Sequence, residues 1–129
     1  MLAIDTNVIV RYLTNDHPEQ SERARRLIGG QQVFAAVTVI LETEWVLRSA
    51  YGYDKADIVR ALRKFGGLPT VEIEDAPIVA SALDLVEAGV DFADALHLGK
   101  STHCTGLATF DRNFVKVAKA AGSEGVREA

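Results

Sequence analysis

Residues 1–11 read Met-Leu-Ala-Ile-Asp-Thr-Asn-Val-Ile-Val-Arg (MLAIDTNVIVR), and the fold turns on how that run divides. Met1 to Ile4 are apolar, Asp5-Thr6-Asn7 interrupts them, and the apolar residues resume at Val8. A run this short is too brief for a helix, so Leu2–Ile4 is expected to form a buried strand ending at Asp5, with a helix starting just after it. Open parallel sheets bind ligands at the carboxyl ends of their strands, which puts Asp5 where a site would lie. An N-cap at Asp5 or Thr6, accepting backbone N–H bonds, is the plainer explanation. The choice depends on what else arrives at the same edge.

Working outward, 129 residues suit one domain, residues 1–129, with a real core. The hydrophobic share of 48% and charged share of 25% are ordinary for a globular chain. No apolar run approaches the roughly 20 residues that span a bilayer, and no signal peptide is expected. A single cysteine, Cys104, excludes an internal disulfide and fits a reducing cytoplasm; it is expected to be a small buried hydrophobe. The net charge of −4 argues against a broad basic surface, though not against a basic rim around an acidic centre.

Strand and helix signals alternate along the rest of the chain. The first helix should reach about Thr14. Pro18 opens a second, with Asp16 or His17 near its cap and Gly29-Gly30 at its end. Glu19–Arg23 and Glu22–Arg26 are spaced to pair on that helix, so its arginines are read as a solvated face. Val33–Val37 reads as a strand, and Thr38 as the cap of a third helix over Val39–Ala50. Asp54 caps a fourth, which Gly66-Gly67 stops. Val71–Ile73 is a short edge strand, and Ala76–Glu87 a fifth helix. Asp91 opens a sixth, with Asp91 and Asp94 at capping-box spacing and His97 one turn beyond as a packed or supporting residue. Gly106–Phe110 is a buried strand, Asp111 caps the last helix, and Val126 starts a final edge strand. The pattern is α/β with a parallel sheet.

The acids then need a joint explanation. Asp5 and Asp111 fall at strand ends, and Asp94 at a helix start that can reach the same edge. Glu44 and Arg48 are four apart and can pair in solvent. If Glu44 faces water, Glu42, about 200° around the helix, faces inward among apolar neighbours. A carboxylate there is costly unless paired or bound to a metal. Gathered carboxylates repel and raise one another's pKa, and a hard divalent cation removes that penalty. Oxygen donors without thiols or paired histidines favour Mg²⁺ or Mn²⁺ over zinc, and such a centre activates water against a phosphodiester.

With these motifs in place, the chain resembles the PIN-domain ribonucleases, and among them the VapC-type toxins of bacterial toxin–antitoxin pairs. The likeness covers essentially the whole chain. It rests on DTN at Asp5–Asn7, the glutamate after VTVIL at Glu42, DFADALHL at Asp91–Leu98 and ATFD at Ala108–Asp111. It implies a three-layer α/β/α sandwich around a central parallel sheet, usually dimeric. It also implies that Asp5, Glu42, Asp94 and Asp111 form a catalytic quartet binding one or two Mg²⁺ or Mn²⁺, supported by Asn7 and Thr109. Many relatives carry a further acid where this chain has Asn113. The implied activity is endonucleolytic cleavage of RNA, restrained by a VapB-like antitoxin. Arg11, Arg48, Arg112 and Lys116 are candidate phosphate contacts, with solvated charge as the simpler reading of each. Two other functions fit the acids less well. A non-catalytic module of the same fold would not need all four. An aspartate-dependent phosphatase favours a second Asp where Asn7 stands.

Overall fold

The first strand leads straight into the first helix. In the computed structural model, which describes residues 1–129, β1 is Leu2–Ala3 and α1 is Thr6–Thr14, with Asp5 as its N-cap. There follow α2 (Pro18–Gly30), β2 (Val33–Ala35), α3 (Val37–Ser49), α4 (Lys55–Gly66) and β3 (Val71–Ile73). After these come α5 (Ala76–Glu87), α6 (Phe92–Gly99), β4 (Leu107–Thr109), α7 (Arg112–Ala120) and β5 (Val126–Glu128). The chain divides into two compact units, Met1–Ala76 and Pro77–Ala129. No helix is long and apolar enough to cross a membrane.

In the first unit the strands run parallel in the order β1-β2-β3, with Leu2 opposite Val33 and Ala35 opposite Ile73. Strands of two or three residues carry little of the stability; packed helices carry more. Ile9 and Val10 of α1, Ile28 of α2, Ile40 and Leu47 of α3, and Ile58, Leu62 and Phe65 of α4 are all buried. The Tyr12 ring meets Phe65 at a tilted 60°, with centroids 6.3 Å apart. β1 departs from expectation. Leu2 and Ala3 are exposed and only Ile4 is buried, because β1 lies at the end of this three-strand order.

α3 begins earlier than its sequence suggested. Its N-cap is Ala36, which has no side chain to offer, and Thr38 is already inside the helix. The missing cap comes from across the sheet. Pairing of Ala35 with Ile73 brings the next residue, Glu74, beside the helix start, where its Oε1 accepts the Val37 N–H at 2.8 Å. A carboxylate at a helix N-terminus also meets the positive end of the helix dipole. Glu74→Ala should therefore cost about 1 kcal/mol, as loss of a cap does, read as a lowered melting temperature with the far-ultraviolet spectrum unchanged.

In the second unit β4 and β5 pair in parallel, Leu107 with Val126 and Thr109 with Glu128. Phe92, Ala95 and Leu96 of α6, and Phe114 and Ala118 of α7, are buried. Gly99 lets α6 approach α5 closely, since a Cβ there would stand 2.7 Å from Ile78 Cγ2. That close approach fixes the helix that carries Asp94.

Candidate functional site

In the first unit, two carboxylates meet at one residue, Thr6: Asp5 accepts its backbone N–H and Glu42 its hydroxyl. Asp5 is extended, and its Oδ1 accepts the N–H of the adjacent Thr6 at 2.8 Å. An ordinary cap reaches one or two residues further into the helix. Capping therefore occupies half of this carboxylate, and Oδ2 is left for another partner. Thr6 is buried, and its Oγ1 donates to Oε1 of Glu42, thirty-six positions away on α3. Thr6 thus ties Glu42 to the start of α1. Asn7, the next residue, is exposed in the first turn.

The two glutamates of α3 stand opposite to expectation. Glu44 is the buried one, 6% exposed, while Glu42 is exposed. The pairing of Glu44 with Arg48 is present, at 3.0 Å from Nε and 3.3 Å from Nη2, but at a buried carboxylate rather than in solvent. Arg48, one turn on, covers both Glu44 oxygens, which is what makes burial of that acid tolerable. Glu42 therefore faces away from the apolar side and needs no buried compensation.

In the second unit, Asp94 lies in the first turn of α6 and is half-buried. Asp91 caps the helix, accepting from the N–H groups of Ala93 at 3.1 Å and Asp94 at 3.4 Å. Asp94 is thus not needed as a cap. Burial pushes its carboxyl pKa up, and the like charges of Asp91 and Asp111 push it further, while His97 pulls it partly back. His97 is exposed rather than packed. Asp111 caps α7 through the Phe114 N–H at 3.0 Å. Thr109 Oγ1 accepts the Asp111 N–H at 3.0 Å and so holds the strand-to-helix turn that presents this acid.

The donor chemistry suits a hard cation. The acids are all carboxylates, and Asp94 carries like-charge repulsion that a bound cation would reverse. Within neither unit do three His, Cys, Asp or Glu side chains gather into a metal-holding group. Cys104 does not compete. It is exposed, in the turns after α6 rather than on an apolar face, contrary to the buried position expected for it.

Most of the arginines proposed as phosphate contacts already have partners. Arg11 reaches Gln20 at 2.9 Å, Tyr51 at 3.0 Å and Asp16 at 3.4 Å. Arg112 pairs with Glu128 at 3.0 Å, and Lys116 is exposed. The α2 arginines meet their own glutamates, at 3.0 Å and 3.1 Å for Glu22 with Arg25 and Arg26, but only at 4.0 Å for Glu19 with Arg23. Two roles not read from the sequence matter here, that of Thr6, considered only as a cap, and that of Glu74. Thr6 is a hydroxyl flanked by an acid, and its place between Asp5 and Asn7 was the available signal. Glu74 gave none, because its role arises from strand register.

Parallel strands that present acids at strand-to-helix turns, without thiol or paired imidazole donors, have the chemistry of a cation-using hydrolase. The chain belongs to the PIN-domain family, whose model, described as PIN domain, matches residues 2–120. PIN domains are in general nucleases, hydrolases of phosphodiester bonds in nucleic acid, and typically use divalent metal ions. A comparison with curated proteins finds no match.

Proposed function

We infer that this chain is a Mg²⁺- or Mn²⁺-dependent endoribonuclease and the toxin of a bacterial toxin–antitoxin pair of VapC type, restrained in the cytoplasm by a VapB-like antitoxin and acting as a homodimer. The family match runs through both units, which we read as one PIN domain over residues 1–129. The observation that carries the catalytic reading is Asp94, a half-buried acid with no capping task whose pKa is raised by burial first and then by the like charges of Asp91 and Asp111. Structural acids are seldom placed so; catalytic and ligating ones often are.

In this reading Asp5, Glu42, Asp94 and Asp111 are the metal ligands and catalytic residues. When bound, the cation supplies positive charge at the scissile phosphate and lowers the pKa of water. The chain's own residues do the rest. Thr6 fixes the Glu42 carboxylate by donating to it. Thr109 fixes the turn before Asp111, and Asn7, exposed in the first turn of α1, would be a polar support of the site. Water adds to phosphorus, the bond from phosphorus to the 3′ oxygen breaks, and that oxygen takes a proton, leaving 5′-phosphate and 3′-hydroxyl ends.

The test is cleavage of total RNA by the purified chain with and without Mg²⁺ or Mn²⁺, with the new ends mapped. Discrete metal-dependent cuts bearing 5′-phosphates are expected; cyclic phosphate ends would overturn the mechanism. Thr6→Val keeps the shape of the side chain and removes its donor. It should weaken metal binding by about 10- to 100-fold, the usual effect of losing a residue that orients a ligand, seen by calorimetric metal titration.

A further inference from the structure

The geometry points to a nucleobase pocket in the groove between α1 and α2, so that the residues beside Asp5 select the base at the cut; this rests on the ribonuclease reading above. The groove has a volume of about 310 Å³ and begins at Asn7, two residues after Asp5. That volume is at the small end for ligand sites, enough for one base and its sugar. Val8, Ala24 and Leu27 give it an apolar floor, and Asn7 and Gln20 place amides at its edge. The lining residues recur at three- and four-residue steps on both helices, so they form two facing stripes.

Charge favours a fragment of polyanion as the occupant. In a chain of net charge −4, this groove is lined by two arginines, Arg11 and Arg23, and by no acid. Arg11 is held by Gln20, Tyr51 and Asp16. Arg23 has only the 4.0 Å contact to Glu19, with both side chains about three-quarters exposed, so it is available to a phosphate or to stack on a base. Gln20 is already oriented. Its Oε1 accepts from Arg11 Nε, which leaves the amide N–H groups to donate to a base edge. An apolar floor, an oriented amide and a guanidinium held only by one long, exposed contact match what a splayed single-stranded base requires. The rival occupant is an apolar side chain of a protein partner, which needs neither the amide nor the arginine.

The test measures equilibrium binding of the tetraribonucleotides A4, C4, G4 and U4 to the full chain carrying Asp94→Asn, which binds without cutting. One of the four is expected to bind about tenfold tighter than the rest, the scale of one amide–base pairing. Adding Gln20→Glu keeps an acceptor for Arg11 but turns the outward donor into an acceptor, and should erase or switch that preference. Adding Arg23→Ala at its exposed site should weaken all four alike. Equal binding of the four, or binding indifferent to both substitutions, would overturn the pocket and leave the groove to a protein side chain. The two readings fail separately. Base-selective binding without RNA cleavage by the unsubstituted chain sinks the nuclease alone, and cleavage with indifferent binding sinks the pocket alone.

Discussion

Asp94→Asn should abolish nuclease activity while making the metal-free chain more stable at neutral pH. The loss follows from the ligand role proposed for Asp94, whose removal would take away several kcal/mol of transition-state stabilisation, about 1,000-fold in rate. The gain follows from the environment of Asp94. Burial, Asp91 and Asp111 raise its pKa in the folded chain, so folding works against its charged form. Between its ordinary and its raised pKa the native state holds more protons than the unfolded one, and stability falls as pH rises through that window. Above the window the penalty stays in full; below it, the penalty vanishes. Asparagine carries no such penalty. The melting temperature of Asp94→Asn in EDTA should therefore exceed that of the parent at neutral pH, and the two should converge in acid. Asp16 and Glu22 act in the opposite sense. Tyr51 holds the Asp16 carboxyl below its usual range, and Arg25 does the same for Glu22, so their contributions are lost as pH falls. Taking the difference between variant and parent removes those terms. Mg²⁺ should then stabilise the parent more than the variant. A variant less stable than its parent at neutral pH, or one that cleaves normally, would show Asp94 to be a structural acid.

What the sequence disclosed well was anything written within a few residues. His17 beside Pro18, Asp54, Asp91 and Asp111 all cap the helices they were expected to cap, because a cap is a contact over two or three positions. Ala76–Glu87 came out with its expected bounds. What failed depended on partners far along the chain. Thr38 looked like the cap of α3, but strand register supplies Glu74 instead. Leu2 and Ala3 looked buried by composition, yet position in a sheet decides exposure, and apolar residues at a strand-order end are often left open. The candidate site shows the same division. Asp5, Asp94 and Asp111 were legible from local punctuation, whereas the bond from Thr6 to Glu42 joins positions no window spans. Glu42 was selected for the wrong physical reason, since the buried glutamate of α3 is Glu44. The periodicity gave the angle between them correctly, but could not say which one faced in.

That reversal turns the expected Glu44–Arg48 pair from a solvent pair into cover for a buried acid, and removal of Arg48 should be among the most damaging changes to stability in the first unit. Glu44 is 7% exposed at its side chain and Arg48 49%. Breaking a fully buried ion pair by deleting one partner costs about 3–5 kcal/mol, and the half-exposed guanidinium lowers that to about 2–3 kcal/mol for Arg48→Ala. In a chain of this size the shift should be roughly 10 °C in melting temperature. The damage comes from the stranded carboxylate more than from the lost attraction, so a second change distinguishes the causes. Glu44→Leu combined with Arg48→Ala removes the charge that needed a partner and should recover most of the loss, whereas a purely additive double variant would refute the account. There is a consequence for the candidate site as well. Glu44 and Glu42 lie on one helix about 200° apart, but the Glu44–Arg48 pair is internal to that helix and does not set its rotation; the buried Ile40 and Leu47 and the Thr6 bond to Glu42 do. Well below their melting temperatures, Arg48→Ala and the double variant should therefore match the parent in any metal affinity, whereas Thr6→Val, which removes the bond that does hold Glu42, should not.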